Sequence, residues 1–231
     1  MKTIAIIPAR GGSKRIPRKN IKNFAGQPII KYSIDAALGA GCFDEVMVST
    51  DDREIAALAE SFGAKVPFLR SGENSADTAQ TAEVLLEVLA EYGKLGKKFD
   101  YACCIYPTAP FVTAARLNEA REKILQTGAD AAVTITKFSY PIQRALKISG
   151  ERVEMFWPEN YNRRSQDLEP AYHDCGQLYF LKVSSLLEQK KLFPKFTVPI
   201  LVPESEAQDI DNEEDWRQAE IKHHIINKLK E

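Results

Sequence analysis

The sequence predicts an α/β fold in which a mostly parallel sheet is covered by helices on both faces. Strand-like and helix-like segments alternate along most of the chain. The strand-like segments are continuous apolar runs, as in strands buried on both faces. A glycine-containing, strongly basic loop follows the first of them, at the edge where such sheets bind ligands.

Thr3–Ile7 reads as the first buried strand and Ile29–Ala40 as a helix opening just after Pro28. Glu45–Ser49 is the next strand. Asp51 then offers an N-cap with Glu54 three residues on; Ile55, Leu58, Ala59 and Phe62 line one helical face before Gly63 ends it. A further helix spans roughly Thr78–Tyr92, with Val84, Leu85, Val88 and Leu89 as its apolar stripe. Tyr101–Tyr106 is an apolar strand, followed by a loop at Pro107–Pro110, a helix over Thr113–Thr127 ending at Gly128, and a strand at Ala131–Thr136. The rhythm then breaks. From Phe138 to about Asp174 aromatics and prolines crowd together (Tyr140, Pro141, Phe156, Trp157, Pro158, Tyr161, Pro170, Tyr172), which predicts an inserted arm or β-rich flap over approximately 138–174. Excursions of this kind cover an active site or a partner subunit. The core pattern resumes at Gly176–Leu181 and Val198–Val202, and a last helix runs from about Asn212 to Lys230, so the 231 residues read as one domain with an insertion.

Lysine and arginine total 31 against 32 acids, a net charge of −1, which gives no electrostatic case for binding nucleic acid or a membrane surface. The first apolar run is cut short by Arg10, so no signal peptide or membrane span is readable, and the expected location is cytoplasmic. Cys42, Cys103, Cys104 and Cys175 lack metal-ligand spacing and read as buried reduced thiols.

The basic loop therefore acts locally. Pro8–Asn20 carries two glycines and five cations, Arg10, Lys14, Arg15, Arg18 and Lys19, with no acid. Glycines let backbone N–H groups approach phosphate oxygens while Lys and Arg neutralise the charge. It matches neither the Walker loop nor the Gly-x-Gly-x-x-Gly fingerprint. A triphosphate is the first ligand to consider.

A second constellation is Gln208-Asp209-Ile210-Asp211-Asn212-Glu213-Glu214. In an extended segment Asp209 and Asp211 point the same way and could share a hard cation such as magnesium, held by one or two carboxylates with phosphate oxygens. Asp211 fits equally as an N-cap of the last helix, with Glu214 completing a capping box. Asp209 has no capping role, and a triphosphate calls for a cation, so the pair favours metal. Arg70 near Thr78 and Thr81 could read a base or ribose, or form a surface ion pair and a cap. Thr50-Asp51-Asp52 takes no catalytic role. His173 fits either a general base or a structural histidine, while His223 and His224 read as solvated.

Together these residues resemble the cytidylyltransferases that activate nine-carbon α-keto acid sugars, the CMP-sialic acid synthetase family. The resemblance is carried by Ile7 to Asn20, Val48-Ser49-Thr50-Asp51, Arg70 with Asp77-Thr78-Ala79, Pro107-Thr108-Ala109-Pro110 and Asp209-Ile210-Asp211, and spans nearly the whole chain. Tyr106, Tyr140–Leu146, Met155–Asn160, Arg164–Leu168, Tyr172–Asp174 and Gln177 look like the pseudaminic acid branch. The resemblance implies a three-layer Rossmann-like domain of the nucleotide-diphospho-sugar transferase type and a homodimer whose inserted arm reaches the neighbouring site. It also implies Mg²⁺ dependence and transfer of CMP from CTP to the sugar's anomeric hydroxyl with release of pyrophosphate. Arg10, Lys19 and Asp211 are its implied catalytic residues. Ala9, Arg10, Gly11, Gly12, Ser13, Lys14, Asn20, Arg70, Thr78 and Thr81 would hold the nucleotide. Tyr106, Gln143, Arg144, Arg164, Gln166 and Gln177 would touch the sugar, and Asp209 and Asp211 the metal. The competing readings are the same chemistry on sialic, legionaminic or an eight-carbon acid, a sugar-1-phosphate nucleotidylyltransferase, and a catalytically silent nucleotide-binding protein.

Overall fold

The computed structural model describes residues 1–229. Six strands form the central sheet: β1 (Thr3–Pro8), β4 (Glu45–Ser49), β5 (Tyr101–Ile105), β6 (Ala131–Lys137), β9 (Tyr172–Lys182) and β10 (Thr197–Leu201). Their order is β10-β6-β9-β5-β1-β4. β1 is parallel to β4 and β5, and β10 is parallel to β6. The strand expected at Gly176–Leu181 is longer than its apolar run and lies antiparallel between β5 and β6. A parallel return needs a crossover of a dozen or more residues, usually helical. Between β6 and β9 the chain makes the arm instead, so it comes back pointing the other way.

Alternate residues of the strands face opposite layers. Ala5 and Ile7 of β1 pack with Ile30 and Ile34 of α1 (Ile29–Ala40), Ile55 of α2 (Arg53–Ser61) and Leu117 of α4 (Ala114–Thr127). Ile4 and Ile6 pack on the other side with Leu85, Val88 and Tyr92 of α3 (Thr81–Lys94) and Leu186 of α5 (Val183–Gln189). Helices thus cover both faces, as the unbroken apolar strands required.

Two helix caps differ from expectation, and both differences matter for the site. The cap of α2 is Asp52, whose Oδ1 accepts from Glu54 N and Ile55 N, while Asp51 Oδ1 accepts from Gly11 N at 2.9 Å. The cap of the last helix, α6 (Glu213–Lys228), is Asn212, whose Oδ1 accepts from the amides of Glu214 and Asp215. Asp215, not Glu214, closes the capping box on Asn212 N. Asp211 is therefore free of the capping role. Lys230, the expected end of that helix, lies outside the described residues. The helix expected from Thr78 begins at Thr81, because 71–80 is a separate loop whose start Glu87 holds through Ser71 N and Ser71 Oγ.

A two-stranded ribbon, β2 (Asn23–Phe24) with β3 (Gln27–Pro28), follows the basic loop. The arm carries an antiparallel hairpin, β7 (Leu146–Ser149) with β8 (Arg152–Met155), and its sheet-paired part begins at Tyr172, so the irregular stretch is slightly shorter than 138–174. His223, read as solvated, is half-buried against Phe24 and Tyr32 at 5.3 and 5.2 Å between ring centroids. His173 takes the structural reading: Nδ1 pairs with Asp174 O at 2.9 Å and the ring packs on Phe138. No described helix is long and apolar enough to cross a membrane.

Candidate active site

The topology brings the two polar motifs to one edge. β1, β4, β5, β6 and β10 all run the same way, so their carboxyl ends share one rim. The basic loop leaves that rim after β1, and Asp209 and Asp211 follow β10. An apolar contact completes the approach. Ile16, the aliphatic residue within the basic loop, and Ile210, between the two aspartates, are 1 % and 0 % exposed and share one cluster with Trp216 of α6.

The cations and the carboxylates therefore meet. Lys19 Nζ donates to Ile210 O at 2.7 Å and lies 3.8 Å from Asp211 Oδ1; Arg15 reaches the same oxygen at 2.9 Å. Burial lowers the Lys19 ammonium below the usual lysine range, against the opposing pull of Asp211 and Asp209. Asp209 is shifted upward, chiefly by burial and then by Asp211. It sits over Gly176, where a Cβ would lie 3.3 Å from its carboxylate, and Gly176 has φ +61°. A register irregularity of β9 against β6 falls in this stretch, where bulges commonly re-aim side chains. Gly176→Ala should therefore cost about 1–2 kcal/mol in backbone strain and displace Asp209. A variant with wild-type melting temperature and turnover would show that neither the turn nor the contact matters.

A cavity of about 290 Å³ opens at this rim, close to the lower end of small-molecule sites. Of the residues singled out in the sequence, Arg10, Ser13, Lys14, Arg15, Lys19, Asn20, Arg70, Thr81, Tyr106 and Asp211 are among those that line it. Arg70 is buried with its Nε donating to Ser49 Oγ at 3.0 Å and a terminal nitrogen to Ser49 O. Asn20 Nδ2 donates to Arg10 O at 2.9 Å, and Tyr106 Oη pairs with Thr81 Oγ1 at 3.0 Å. The Tyr106 ring lies against buried Tyr179, whose hydroxyl donates to Asp174.

Other predicted residues lie elsewhere. Ala9 is buried, with its N–H donated to Ser49 O, and Thr78 is exposed outside the lining. The N–H of Gly11 goes to Asp51 and that of Ser13 to Gly11 O, so two expected phosphate donors are engaged internally; Gly12 has open space around it. Gln177 is buried, with Nε2 donating to Glu206 O. On the arm, Gln143 bonds Glu169 O, Arg144 bonds Ser165 Oγ, Arg164 pairs with Asp167, and Gln166 borders a separate arm hollow. None of these lines the cavity of its own chain. The sequence reading gave no role to Asn74, which lines the cavity, or to Asp77, which pairs with Arg10 at 2.9 Å and with Lys14. Its position just before Thr78 was visible, but only the fold sets it opposite the loop.

Among the described residues no three His, Cys, Asp or Glu side chains gather as a metal site; Asp211 lines the cavity, whereas Asp209 lies outside its lining, over Gly176.

A family model described as cytidylyltransferase matches residues 4–177. The pseudaminic acid cytidylyltransferase of Campylobacter jejuni is 42% identical over 222 residues, covering 96% of both chains. The CMP-N,N'-diacetyllegionaminic acid synthase of Legionella pneumophila is 34% identical over 229 residues, covering 95% of both. Among solved structures, a CMP:2-keto-3-deoxy-manno-octonic acid synthetase complexed with CTP superposes with TM-score 0.71 at 16% identity, covering 99% of this chain and 100% of its own. The 4-diphosphocytidyl-2C-methyl-D-erythritol synthase of Anaerococcus prevotii gives 0.65 at 14%, covering 96% and 98%. The two structures establish the Rossmann-like nucleotidyltransferase fold. With the matched family model and the full-length relatives, they place this chain in the cytidylyltransferase family of nucleotidyltransferases.

Proposed function

We propose that the chain transfers CMP from CTP to the anomeric hydroxyl of pseudaminic acid, releasing pyrophosphate. The observation that carries this reading is the meeting of Arg10, Lys14, Arg15 and Lys19 with Asp211 in one cavity, in a chain 42% identical to a pseudaminic acid cytidylyltransferase. Displacements at phosphorus are catalysed mostly by positioning and charge stabilisation. Arg10, Lys14 and Lys19 hold the triphosphate and the charge that grows on the leaving pyrophosphate. Asn20, Arg70 and Thr81 orient the nucleoside.

Cytidylyltransferases of this family generally use a divalent metal, and Mg²⁺ is the ion proposed here. Asp209 and Asp211 would hold it, and when bound it supplies charge neutralisation at the phosphates and lowers the pKa of a nearby hydroxyl. Lys19 bridges this pair and the loop, so it keeps the cationic and anionic halves of the site in register.

The arm supports a dimer. Tyr140, Ile148, Val153 and Leu146 are 85, 82, 65 and 60 % exposed, an apolar surface suited to a second copy of the chain. In that assembly Gln143, Arg144, Arg164 and Gln166 would serve the neighbouring cavity, with an arginine fork for the sugar carboxylate.

The test is pyrophosphate release with CTP and a panel of pseudaminic, sialic, legionaminic and eight-carbon acids, with and without Mg²⁺. The reading requires pseudaminic acid to be turned over fastest and turnover to collapse without the metal. Preference for legionaminic acid would favour the second reading, which the Legionella pneumophila relative supports. Product from a hexose 1-phosphate, or none from any acid, would overturn both. Tyr106→Gln tests sugar selection. Its backbone and hydroxyl are all committed, to Gln177 O, Ser33 Oγ and Thr81 Oγ1, so the ring is a fixed wall of the cavity. The substitution should shift the preference between pseudaminic and sialic acids by about 10–200-fold; an unchanged ratio removes Tyr106 from selection.

A further inference from the structure

One of the five cations of the basic loop does not face the cavity. Arg18 lies outside its lining and points to the start of α2, where one terminal nitrogen donates to Asp52 Oδ2 and the other to Glu54 Oε2 at 2.6 Å. Its backbone is left-handed, with φ 55° and ψ 30°, a conformation that a non-glycine residue adopts only when its surroundings hold it there. From that turn its carbonyl accepts from the amides of both Ile21 and Lys22, opening the short helical turn Lys19–Ile21. That turn aims Lys19 at Ile210 and Asn20 at Arg10.

The other end of the loop is tied to the same place. Gly11 N donates to Asp51 Oδ1 at 2.9 Å, and a Cβ on Gly11 would lie 2.6 Å from Asp52 Oδ2. Gly11 is therefore required by the approach of Asp52 to the loop. Asp52 is itself fixed, because its Oδ1 accepts from two amides of α2 and the Arg18 guanidinium holds its carboxyl below the usual range.

We propose that Arg18 and Asp52 are positioning residues: their ion pair clamps the far end of the triphosphate loop onto the start of α2, beside the Gly11 end held by Asp51, so that the loop is formed before the nucleotide arrives. The proposal rests on reading that loop as the triphosphate site. A preorganised loop spends none of the binding energy on ordering itself.

Asp52→Asn separates this role from plain helix capping, since asparagine caps as well as aspartate but cannot form the ion pair. Arg18→Gly separates it from the turn, since glycine accepts the left-handed backbone but has no guanidinium. The full chain and each variant would be compared by calorimetric titration with CTP, by steady-state kinetics, and by amide hydrogen exchange over residues 10–22. Both variants should weaken CTP binding and raise KM for CTP by about tenfold or more. Turnover at saturating CTP should change far less, with a near-wild-type melting temperature and faster exchange in the loop. Glu54→Gln, at a carboxylate 72 % exposed, should behave like wild type. Wild-type CTP affinity and unaltered exchange in both variants would overturn the clamp. If the unaltered protein bound no CTP, the reading of the loop would fall, and the exchange comparison alone would decide whether the clamp exists.

Discussion

Replacing Asp211 with alanine should lower turnover by about 10²–10³-fold, the scale on which a group stabilising charge in the transition state is felt. That loss corresponds to about 3–4 kcal/mol of barrier. The fold should survive. Asn212 caps α6 and Asp215 closes the capping box, so the side chain removed is not the one that starts the helix. The ion pairs that Asp211 makes with Arg15 and Lys19 involve a carboxylate 45 % exposed, and such pairs contribute little to stability in water. Thermal unfolding together with pyrophosphate release per folded molecule is the decisive pair of measurements. A lower melting temperature with full turnover would return Asp211 to a structural role.

The second large effect is expected at Arg10. Its terminal nitrogen lies 2.9 Å from Asp77 Oδ1 and donates to Ala76 O at 3.1 Å, which joins the basic loop to the 71–80 loop across the cavity. Both partners are partly exposed, at 35 and 48 %, so a triphosphate can take the guanidinium over from Asp77. Arg10→Ala should lower kcat/KM for CTP by about 10²-fold, with kcat itself reduced because the leaving pyrophosphate loses a counter-charge. A rise in KM alone would mean that Arg10 only binds the nucleotide. Unchanged kinetics would remove it from the mechanism, and Lys14, the other cation on Asp77, would become the candidate.

Most of the fold was legible because its signals are local. Apolar runs such as Ile4–Ile7 and Cys103–Ile105 have one economical fate, burial on both sides, and they form adjacent strands of the sheet with no exposed residue between them. The caps were legible only to within a residue, since Asp51 and Asp52, or Asp211 and Asn212, are chemically interchangeable as caps and the choice depends on what else each can reach. Asp51 turns to Gly11, and Asp211 turns to Arg15 and Lys19. The direction of β9 was not legible, because an arm and a crossover helix leave the same apolar run behind them.

By itself the sequence determined the chemistry available: the cations of one loop, a carboxylate pair far along the chain, and the alternating elements that make a sheet. What only the tertiary structure decided is which of those groups share a volume. Arg10, Lys19 and Asp211 converge because five strands run the same way and because Ile16 and Ile210 bury against Trp216. Arg18, of the same type and in the same loop, is turned outward by a left-handed backbone and an aspartate on a neighbouring helix. Charge type is a property of a residue; where the charge acts depends on long-range packing, which no local pattern encodes.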